Sequence, residues 1–429
     1  MVVAIGRAAK VVAIGLGKNW FGRVHTDANN AGKGKALGGG HCSNRAYTAG
    51  VFGRNLENSK TGGSALLLPP DACFAPDLEA LTDPERSMYK TLVDAHRGKA
   101  DIATVTSANY LHRFGLLAAL ELQPEAIICE KPFGLNGREG KEMHDAVQSA
   151  HIDTLLAFTY TYYPMVELAA QIVQNKDFFG DVIAFKGEYP QGWMATTAHD
   201  NAPWNWRPTL DKGGASCVGG DIFSHLVALQ RKVTGINIGE IFALAGTSAP
   251  GRDKHIQDIL KTVGRLENDA LFSMEAQQTA RGSDNDVWFE VTGSKRSLKW
   301  SHKAPHELWV TDDNNNWTQL KAGFDAAGIP VLIQGLSTYP TGHYDGFSGG
   351  ALKNMYEIAE RIARGLPHIG YQGVDYGLAA NLVVDGAVES NKDRKPVTFG
   401  NLPAIVNNAT LSVDHSQYNQ AYTPFQKQP

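Results

Sequence analysis

The 429-residue sequence is poor in cysteine and has no large excess of charge of either sign. Its four cysteines (Cys42, Cys73, Cys129 and Cys217) lie far apart without a C-x-x-C pair, so they indicate neither a disulfide framework nor a zinc site. Forty basic and 44 acidic residues give a net charge of −4 and provide no basic field for a polyanion. Nucleic acid is therefore not an expected partner.

Long apolar runs are also missing, since none approaches the roughly 20 residues that span a bilayer. No internal repeat is present either. With 43% hydrophobic and 20% charged residues, the composition is that of an ordinary globular protein, and we expect a soluble, cytoplasmic protein without a membrane partner. Because 429 residues exceed what one hydrophobic core usually supports, we expect two domains.

The first part of the chain alternates short apolar runs with helical patterns. Such alternation predicts an α/β domain with a parallel sheet whose strands are covered on both faces. After a first strand that begins near Lys10, we expect further strands at 47–52, 102–106 and 126–129, and helices at 111–122 and 137–149. This cofactor-binding domain is predicted to cover residues 1–152.

The pattern changes after the apolar run at 154–160, beyond which strand-like segments follow one another. We expect strands at 182–189, 241–245, 270–277, 288–292 and 298–300, and asparagine-rich turns such as 312–317 indicate hairpins. Helices are expected at 352–364 and 374–390. The prediction is an open, mostly antiparallel sheet in a second domain of residues 153–399. Residues 400–429 form a tail, either disordered or in contact with a neighbouring subunit.

A glycine turn follows the first strand. Gly15, Gly17 and Gly22 have the spacing G-x-G-x-x-x-x-G, two residues longer than the usual dinucleotide-binding pattern. A tight turn without a ligand would also need glycine, but the strand-to-helix context favours a bound pyrophosphate. After the second strand, Arg54 stands where an acidic residue would hold the ribose hydroxyls. Arg54 therefore favours NADP over NAD, unless it is only a solvated loop residue.

Two motifs bear the candidate chemistry. In "CEKPFG" (129–134), Pro132 keeps Lys131 out of helical geometry at the end of a strand, where parallel sheets bind ligands. In "GGASCVGGDIFSHLVAL" (213–229), Asp221 and His225 are four residues apart, which predicts that they share one face of a helix.

These two motifs, together with "WNWRP" and "TGHYDGF", resemble the glucose-fructose oxidoreductase, inositol dehydrogenase and rhizopine catabolism (Gfo/Idh/MocA) family. The resemblance covers most of the chain and is strongest to the branch that acts on inositols and anhydrosugars. It implies a Rossmann cofactor-binding domain in residues 1–152 and, in residues 153–399, a second α/β domain that binds substrate and pairs subunits through an open sheet. The resulting homo-oligomer would be a dimer or a tetramer. It also implies hydride transfer between a nicotinamide and a hydroxyl-bearing carbon of a sugar or cyclic polyol.

The resemblance also assigns roles to individual residues. It places Asn109, His112, Glu130 and Lys131 at the cofactor, and Lys131, Asp221 and His225 in catalysis. The substrate-binding residues would be Tyr160, Gln191, Trp193, Arg207 and His343. This sequence departs from the family at Ser107-Ala108-Asn109, where Thr-Pro-Asn is usual, and carries an apparent insertion at 31–45.

A mechanism follows from these roles. Oxidation of a secondary alcohol requires a base for the hydroxyl proton, and His225 has the chemistry for that step. Lys131 would stabilise negative charge on the same oxygen, and Asp221 would orient the imidazole or bind an adjacent hydroxyl. The hydride acceptor is the cofactor, so no metal is required. Two alternatives are a non-catalytic NADP-binding regulator and an NAD-dependent glycosidase that oxidises its sugar transiently.

Overall fold

The computed structural model of the chain describes residues 10–14, 47–52, 73–74, 97–98, 100–201, 205–343, 345–406 and 408–411. Everything below concerns these residues. The predicted glycine turn (Gly15, Gly17, Gly22), Arg54 and the last part of the predicted tail lie outside them.

The N-terminal sheet has six described strands in the order β3-β2-β1-β4-β5-β6, and every neighbouring pair is parallel. The strands are β1 (Lys10–Ile14), β2 (Tyr47–Phe52), β3 (Cys73–Phe74), β4 (Ile102–Val105), β5 (Ala126–Cys129) and β6 (Asp153–Leu156). Strand order reverses between β1 and β4, as in doubly wound dinucleotide-binding sheets. The predicted Rossmann-type domain is therefore confirmed.

The first sheet extends slightly past residue 152, near which the sequence predicts the domain boundary. Strand β6 pairs in parallel with β5, so the sheet continues to Leu156. The reason is physical, because a short buried strand has the same apolar pattern in either kind of sheet.

The second sheet has nine described strands in the order β14-β13-β12-β11-β7-β10-β9-β8-β15. Its strands are β7 (Val182–Pro190), β8 (Ile238–Gly246), β9 (Ile259–Leu266), β10 (Leu271–Gln277), β11 (Trp288–Gly293), β12 (Ser297–Ser301), β13 (Glu307–Thr311), β14 (Trp317–Lys321) and β15 (Val397–Thr398). All described neighbours are antiparallel except β7 and β10. The predicted mostly antiparallel sheet is confirmed, including the hairpin whose turn places Asn315 at a left-handed φ of 66°.

Side chains alternate across this sheet, as a sheet with one covered face requires. On the covered face, the ring of Phe289 stacks between Phe185 at 6.0 Å and Trp300 at 5.6 Å. On the other face, Leu244, Val263 and Leu271 are 47%, 53% and 55% exposed. The sheet therefore buries one aromatic face and leaves apolar side chains on the opposite one.

The described helices are α1 (His112–Glu121), α2 (Gly137–Ala150), α3 (Pro164–Gln174), α4 (Lys176–Phe179), α5 (Leu210–Gly213), α6 (Ser224–Thr234), α7 (Val331–Gln334), α8 (Lys353–Ala363) and α9 (Val374–Asp393). None of them combines the length and the apolar character that a membrane crossing needs. Helices α3 and α6 pack on the second sheet.

Helices α8 and α9 return to the first domain. Helix α8 packs on β4, β5 and β6, and α9 packs on both α2 and β8. From α9, the Asn381 side chain accepts a hydrogen bond from Gly134 N (3.0 Å) and donates one to Gly134 O (2.7 Å). This pair of bonds fixes the loop after β5 against the C-terminal part of the chain.

Candidate functional site

The loop after β5 presents Lys131 at the carboxyl edge of the first sheet. His112, at the start of α1, lies between this loop and the end of β4, with Nδ1 2.7 Å from Pro132 O and Nε2 3.0 Å from Ser107 O. Glu130 is buried, and its Oε2 accepts a hydrogen bond from Lys131 N at 3.1 Å. The backbone around Lys131 is therefore held from both sides.

The position of His112 gives it a bracing role in this structure. Burial lowers the pKa of His112, although the Pro132 carbonyl, Glu130 and the Ser107 carbonyl oppose that shift. Because both ring nitrogens face backbone carbonyls, the polar atoms of His112 are directed at the loop rather than at a ligand. Its predicted contact with a cofactor would thus have to use the ring carbons.

The carboxyl edge of the sheet fits a nicotinamide cofactor. In doubly wound sheets a dinucleotide binds where the strand order reverses, here between β1 and β4. Asn109 is buried in the 3₁₀ turn Asn109–Leu111 that follows β4, and Lys131 follows β5. The two side chains therefore lie at the edge where the cofactor's reacting end would be held.

Asp221 comes from the second domain and meets Lys131 there. It lies in the π-helical turn Gly219–Phe223 that leads into α6. Lys131 Nζ donates to Asp221 Oδ1 at 3.1 Å and also to its main-chain oxygen. Arg207 Nε donates to the same Oδ1 at 3.2 Å, and Gln278 Nε2 donates to Oδ2 at 2.8 Å. Both carboxylate oxygens are thus occupied by protein donors.

Burial alone would raise the pKa of Asp221, but Lys131 and Arg207 more than offset it and hold that pKa well below its usual range. Asp221 is therefore an ionised carboxylate. The expectation that it orients the imidazole of His225 is not met, since no hydrogen bond joins the two among the described residues. The carboxylate oxygens of Asp221 are instead bound by Lys131, Arg207 and Gln278.

His225 is enclosed by aromatic rings. The ring centroids of Tyr160, Phe158 and Tyr189 lie 5.0, 5.8 and 5.9 Å from its own. Nδ1 is completely buried and finds no hydrogen-bond partner in the described part of the chain. Leaving such an atom unsatisfied costs about 1–3 kcal/mol, which a well-packed core normally avoids.

The pKa of His225 is lowered well below 6.5, first by burial and then by the charge of Lys131, with Asp221 opposing. A neutral imidazole at physiological pH can accept a proton. The structure therefore brings the three predicted catalytic residues together as a neutral histidine beside a buried ion pair.

A polar wall extends from His225. We use this name for Tyr160, Tyr189, Gln191, Trp193 and Asn285. The Tyr160 and Tyr189 hydroxyls are 2.6 Å apart, Tyr189 donates to Asn285 Oδ1 at 3.0 Å, and Gln191 Nε2 also donates to Asn285 Oδ1. Trp193 Nε1 donates to Gln191 Oε1 at 2.9 Å. Three predicted substrate residues thus belong to one hydrogen-bonded chain.

Arg207 closes the other side of the site. Its guanidinium lies 4.6 Å from the Trp206 ring centroid and 6.0 Å from that of Trp193.

His343, which was also predicted to bind substrate, does not lie with these residues. It is exposed in the 337–346 segment and lines a different surface pocket with Tyr163 and His306. No hydrogen bond or ring contact links His343 to Lys131 or His225 within the described residues.

The sequence prediction missed Tyr189, Gln278 and Asn285. Gln191 and Gln278 directly follow β7 and β10, which pair in parallel, so their strands end at the same edge of the sheet. A parallel register would have signalled this pair, but strand direction is not visible in the apolar pattern. Asn285 lies in a loop at a left-handed φ of 57°, and no periodic pattern marks it.

Comparison with known families identifies both halves of the chain. Residues 9–156 match a model described as an oxidoreductase family with an NAD-binding Rossmann fold, GFO/IDH/MocA. Residues 166–299 match the GFO/IDH/MocA C-terminal domain. Both models describe one family, and together they cover about two thirds of the chain.

Among curated proteins, a levoglucosan dehydrogenase of Pseudarthrobacter phenanthrenivorans is 30% identical over 229 residues. The match covers 49% of this chain, and the chain spans only 57% of the length of that relative.

Solved structures show the same fold over nearly the whole chain. A levoglucosan dehydrogenase in complex with NADH and levoglucosan has a TM-score of 0.74 at 24% identity and covers 92% of this chain and 100% of its own. An inositol dehydrogenase homologue with NAD⁺ from Azotobacter vinelandii has a TM-score of 0.77 at 18% identity, with 92% and 98% coverage.

The electrostatics of the site predict how the His225 imidazole titrates. In histidine-labelled protein, the NMR signal that His225→Ala removes should titrate with a midpoint below pH 6.5, because burial and Lys131 disfavour the charged ring. Lys131→Met should raise this midpoint, since it removes the nearby positive charge. An unchanged midpoint in Lys131→Met would show that Lys131 does not act on the ring.

Proposed function

Because the chain belongs to the GFO/IDH/MocA oxidoreductase family, we propose that it is a nicotinamide-dependent dehydrogenase of sugars, anhydrosugars or cyclic polyols. The observation that carries the proposal is the His225 imidazole next to the Lys131–Asp221 ion pair, with a lowered pKa and a buried Nδ1 that has no hydrogen-bond partner among the described residues. A sensor that had only kept the fold would not need to maintain an unsatisfied buried base beside an ionised carboxylate and a lysine.

The residues divide the work of alcohol oxidation. The bound nicotinamide supplies the hydride acceptor. His225 takes the hydroxyl proton at Nε2, since Nδ1 is enclosed by the aromatic rings. Lys131 Nζ donates a hydrogen bond to the same oxygen and stabilises the negative charge that develops on it. Asp221 keeps Lys131 in place, and its own position is set by Arg207 and Gln278.

The polar wall and the indoles of Trp193 and Trp206 support a polyhydroxylated ring as substrate. Aromatic faces suit the C–H faces of a sugar, and the hydroxyl and amide groups of the wall suit its edges. The named relatives act on levoglucosan and inositol, which are compact ring polyols. An NAD-dependent glycosidase would use the same fold without releasing reduced cofactor, so net cofactor turnover distinguishes it from a dehydrogenase.

The proposal is tested by following reduced nicotinamide with levoglucosan, inositols and aldoses. Lys131→Met and His225→Ala should each lower kcat on an active polyol by roughly a hundredfold or more, the scale for losing a general acid–base group. Cofactor dissociation constants should change little. The double variant should lose less than the product of the single effects, because both groups serve one transition state.

His255→Ala is the matched control, because His255 is 45% exposed and pairs only with the neighbouring Asp253 among the described residues. Near-normal kcat in His225→Ala would disprove the assignment of the base. A chain that binds the cofactor but oxidises no polyol would favour the regulator instead.

We further propose that NADP is the preferred cofactor, although the relatives were solved with NADH or NAD⁺. The proposal depends on Arg54 in the sequence, whose guanidinium suits a 2′-phosphate. Arg54→Ala should weaken NADP binding by about 1–3 kcal/mol more than NAD binding, as measured by fluorescence titration. Equal losses for the two cofactors would mean that NAD is the better assignment.

We also propose that the chain forms homo-oligomers through the open face of the second sheet. Without a partner subunit, Leu244, Val263 and Leu271 would stay exposed to water there. Val263→Glu with Leu271→Glu should reduce the mass measured by light scattering to that of the monomer. Leu210→Glu is the control, because Leu210 is 56% exposed on α5, away from the sheet. A wild-type monomer at micromolar concentration would contradict the proposal.

A further inference from the structure

The hydrogen bonds of the polar wall have a fixed direction. The direction starts at Trp193, because an indole N–H can only donate. The atom of Gln191 that receives this bond is therefore its oxygen, and the nitrogen of Gln191 must point the other way. That nitrogen donates to the side chain of Asn285, whose receiving atom must then be its oxygen as well.

The direction continues through the two tyrosines. Asn285 Oδ1 lies 3.0 Å from the Tyr189 hydroxyl. Because an amide oxygen cannot donate, the Tyr189 O–H is the donor of this hydrogen bond. Gln191 Nε2 also donates to the Tyr189 oxygen at 3.3 Å. The Tyr160 hydroxyl lies 2.6 Å from the same Tyr189 oxygen, and it must be the donor of the hydrogen bond between them, because the Tyr189 O–H already points to Asn285. Burial raises the pKa of both hydroxyls, so the two tyrosines are neutral.

Tyr160 is the end of the chain that lies at the catalytic residues. Its ring meets the His225 ring edge-on at 5.0 Å, and the charge of Asp221 contributes to raising the pKa of its hydroxyl. Because the Tyr160 O–H donates its hydrogen bond to Tyr189, the Tyr160 oxygen can only accept a hydrogen bond from a ligand. An amide turned the other way at Gln191 or Asn285 would place donor against donor, so the chain cannot reverse without breaking a bond.

We propose that Tyr160 acts on the substrate only as a hydrogen-bond acceptor, so that the site selects a sugar with a hydroxyl donor at that position. Asn285 is the positioning residue that fixes this polarity, since its amide oxygen accepts hydrogen bonds from both Tyr189 and Gln191. The inference rests on the proposed function, because it needs a polyol beside His225. Beyond that function, it specifies that the polyol must present a hydroxyl donor to Tyr160.

Binding of modified ligands to the protein saturated with NADPH, the reduced form of the proposed cofactor, tests this polarity. Levoglucosan and myo-inositol are compared by calorimetry with derivatives in which each ring hydroxyl in turn is replaced by hydrogen or by fluorine. Neither replacement can donate, so at one ring position both should raise Kd about tenfold, the scale of one hydrogen bond. Tyr160→Phe should raise the Kd of the parent ligand and remove this difference at that position alone.

Asn285 offers a matched pair of variants, because both Gly and Asp tolerate its left-handed backbone. Asn285→Asp keeps an acceptor and should keep the discrimination between hydroxyl and fluorine. Asn285→Gly removes the acceptor, so that Tyr189 can donate to Tyr160 and the Tyr160 O–H becomes available to donate to a ligand. This variant should therefore reduce the discrimination. A merely structural role would weaken parent and derivatives equally.

The outcomes separate the inference from the function. If the parent polyols bind but every fluorine derivative binds as well as its parent, or if Tyr160→Phe leaves the discrimination intact, the acceptor role is wrong and the dehydrogenase proposal stands. If neither polyol binds the NADPH-loaded protein, the proposed substrate class fails, and the inference fails with it.

Discussion

The ion pair between Lys131 and Asp221 is the interaction on which the site depends. Lys131 belongs to the first domain and Asp221 to the second, and their side chains are only 7% and 13% exposed. Removing two charges from water is costly, and their attraction compensates only when the remaining polar atoms are also satisfied. Arg207 and Gln278 provide that satisfaction at the carboxylate. The pair therefore sets the relative position of the two domains at the place where chemistry would occur.

The same pair sets the electrostatics around His225. The positive charge of Lys131 and the enclosing rings disfavour the imidazolium, while Asp221 opposes them only in part. A single arrangement thus keeps the carboxylate ionised and the imidazole neutral. Two ionisable groups with pKa values pushed in useful directions by their surroundings are the usual mark of acid–base sites.

A second buried network keeps the tryptophan side of the site in place. Arg252 is fully buried and bridges Asp200 and Asp258 at 2.7 Å, and its Nη2 also donates to Met194 O and Thr196 O at 2.8 Å. Arg252 therefore ties the segment after Trp193 to the end of the β8–β9 connection. Loss of one partner would leave charges buried without compensation, which is why such networks are costly to break.

The sequence predicted the elements better than their connections. Strand β5 and the start of helix α9 lie where the pattern places them, because apolar periodicity and glycine spacing are local signals. Lys131, Asp221 and His225 were found through family motifs. The roles of His112 and Gln278 were not, since a hydrogen bond across 20 or 57 residues depends on packing that no local pattern encodes. The pairing of β6 with β5 likewise depends on packing between segments that are distant in the sequence.

The return of α8 to the first sheet has a consequence for how the chain folds as it is made. Helix α8 covers β4, β5 and β6, yet it lies about 200 residues after β6 in the chain. At typical translation rates of about 5–20 residues per second, the ribosome needs about 10–40 seconds to add those residues. During that interval the nascent Rossmann sheet lacks the packing that α8 supplies. Completion of the first domain therefore waits for the synthesis of α8, and until then the apolar strands β4 to β6 lack the side chains that cover them in the folded protein.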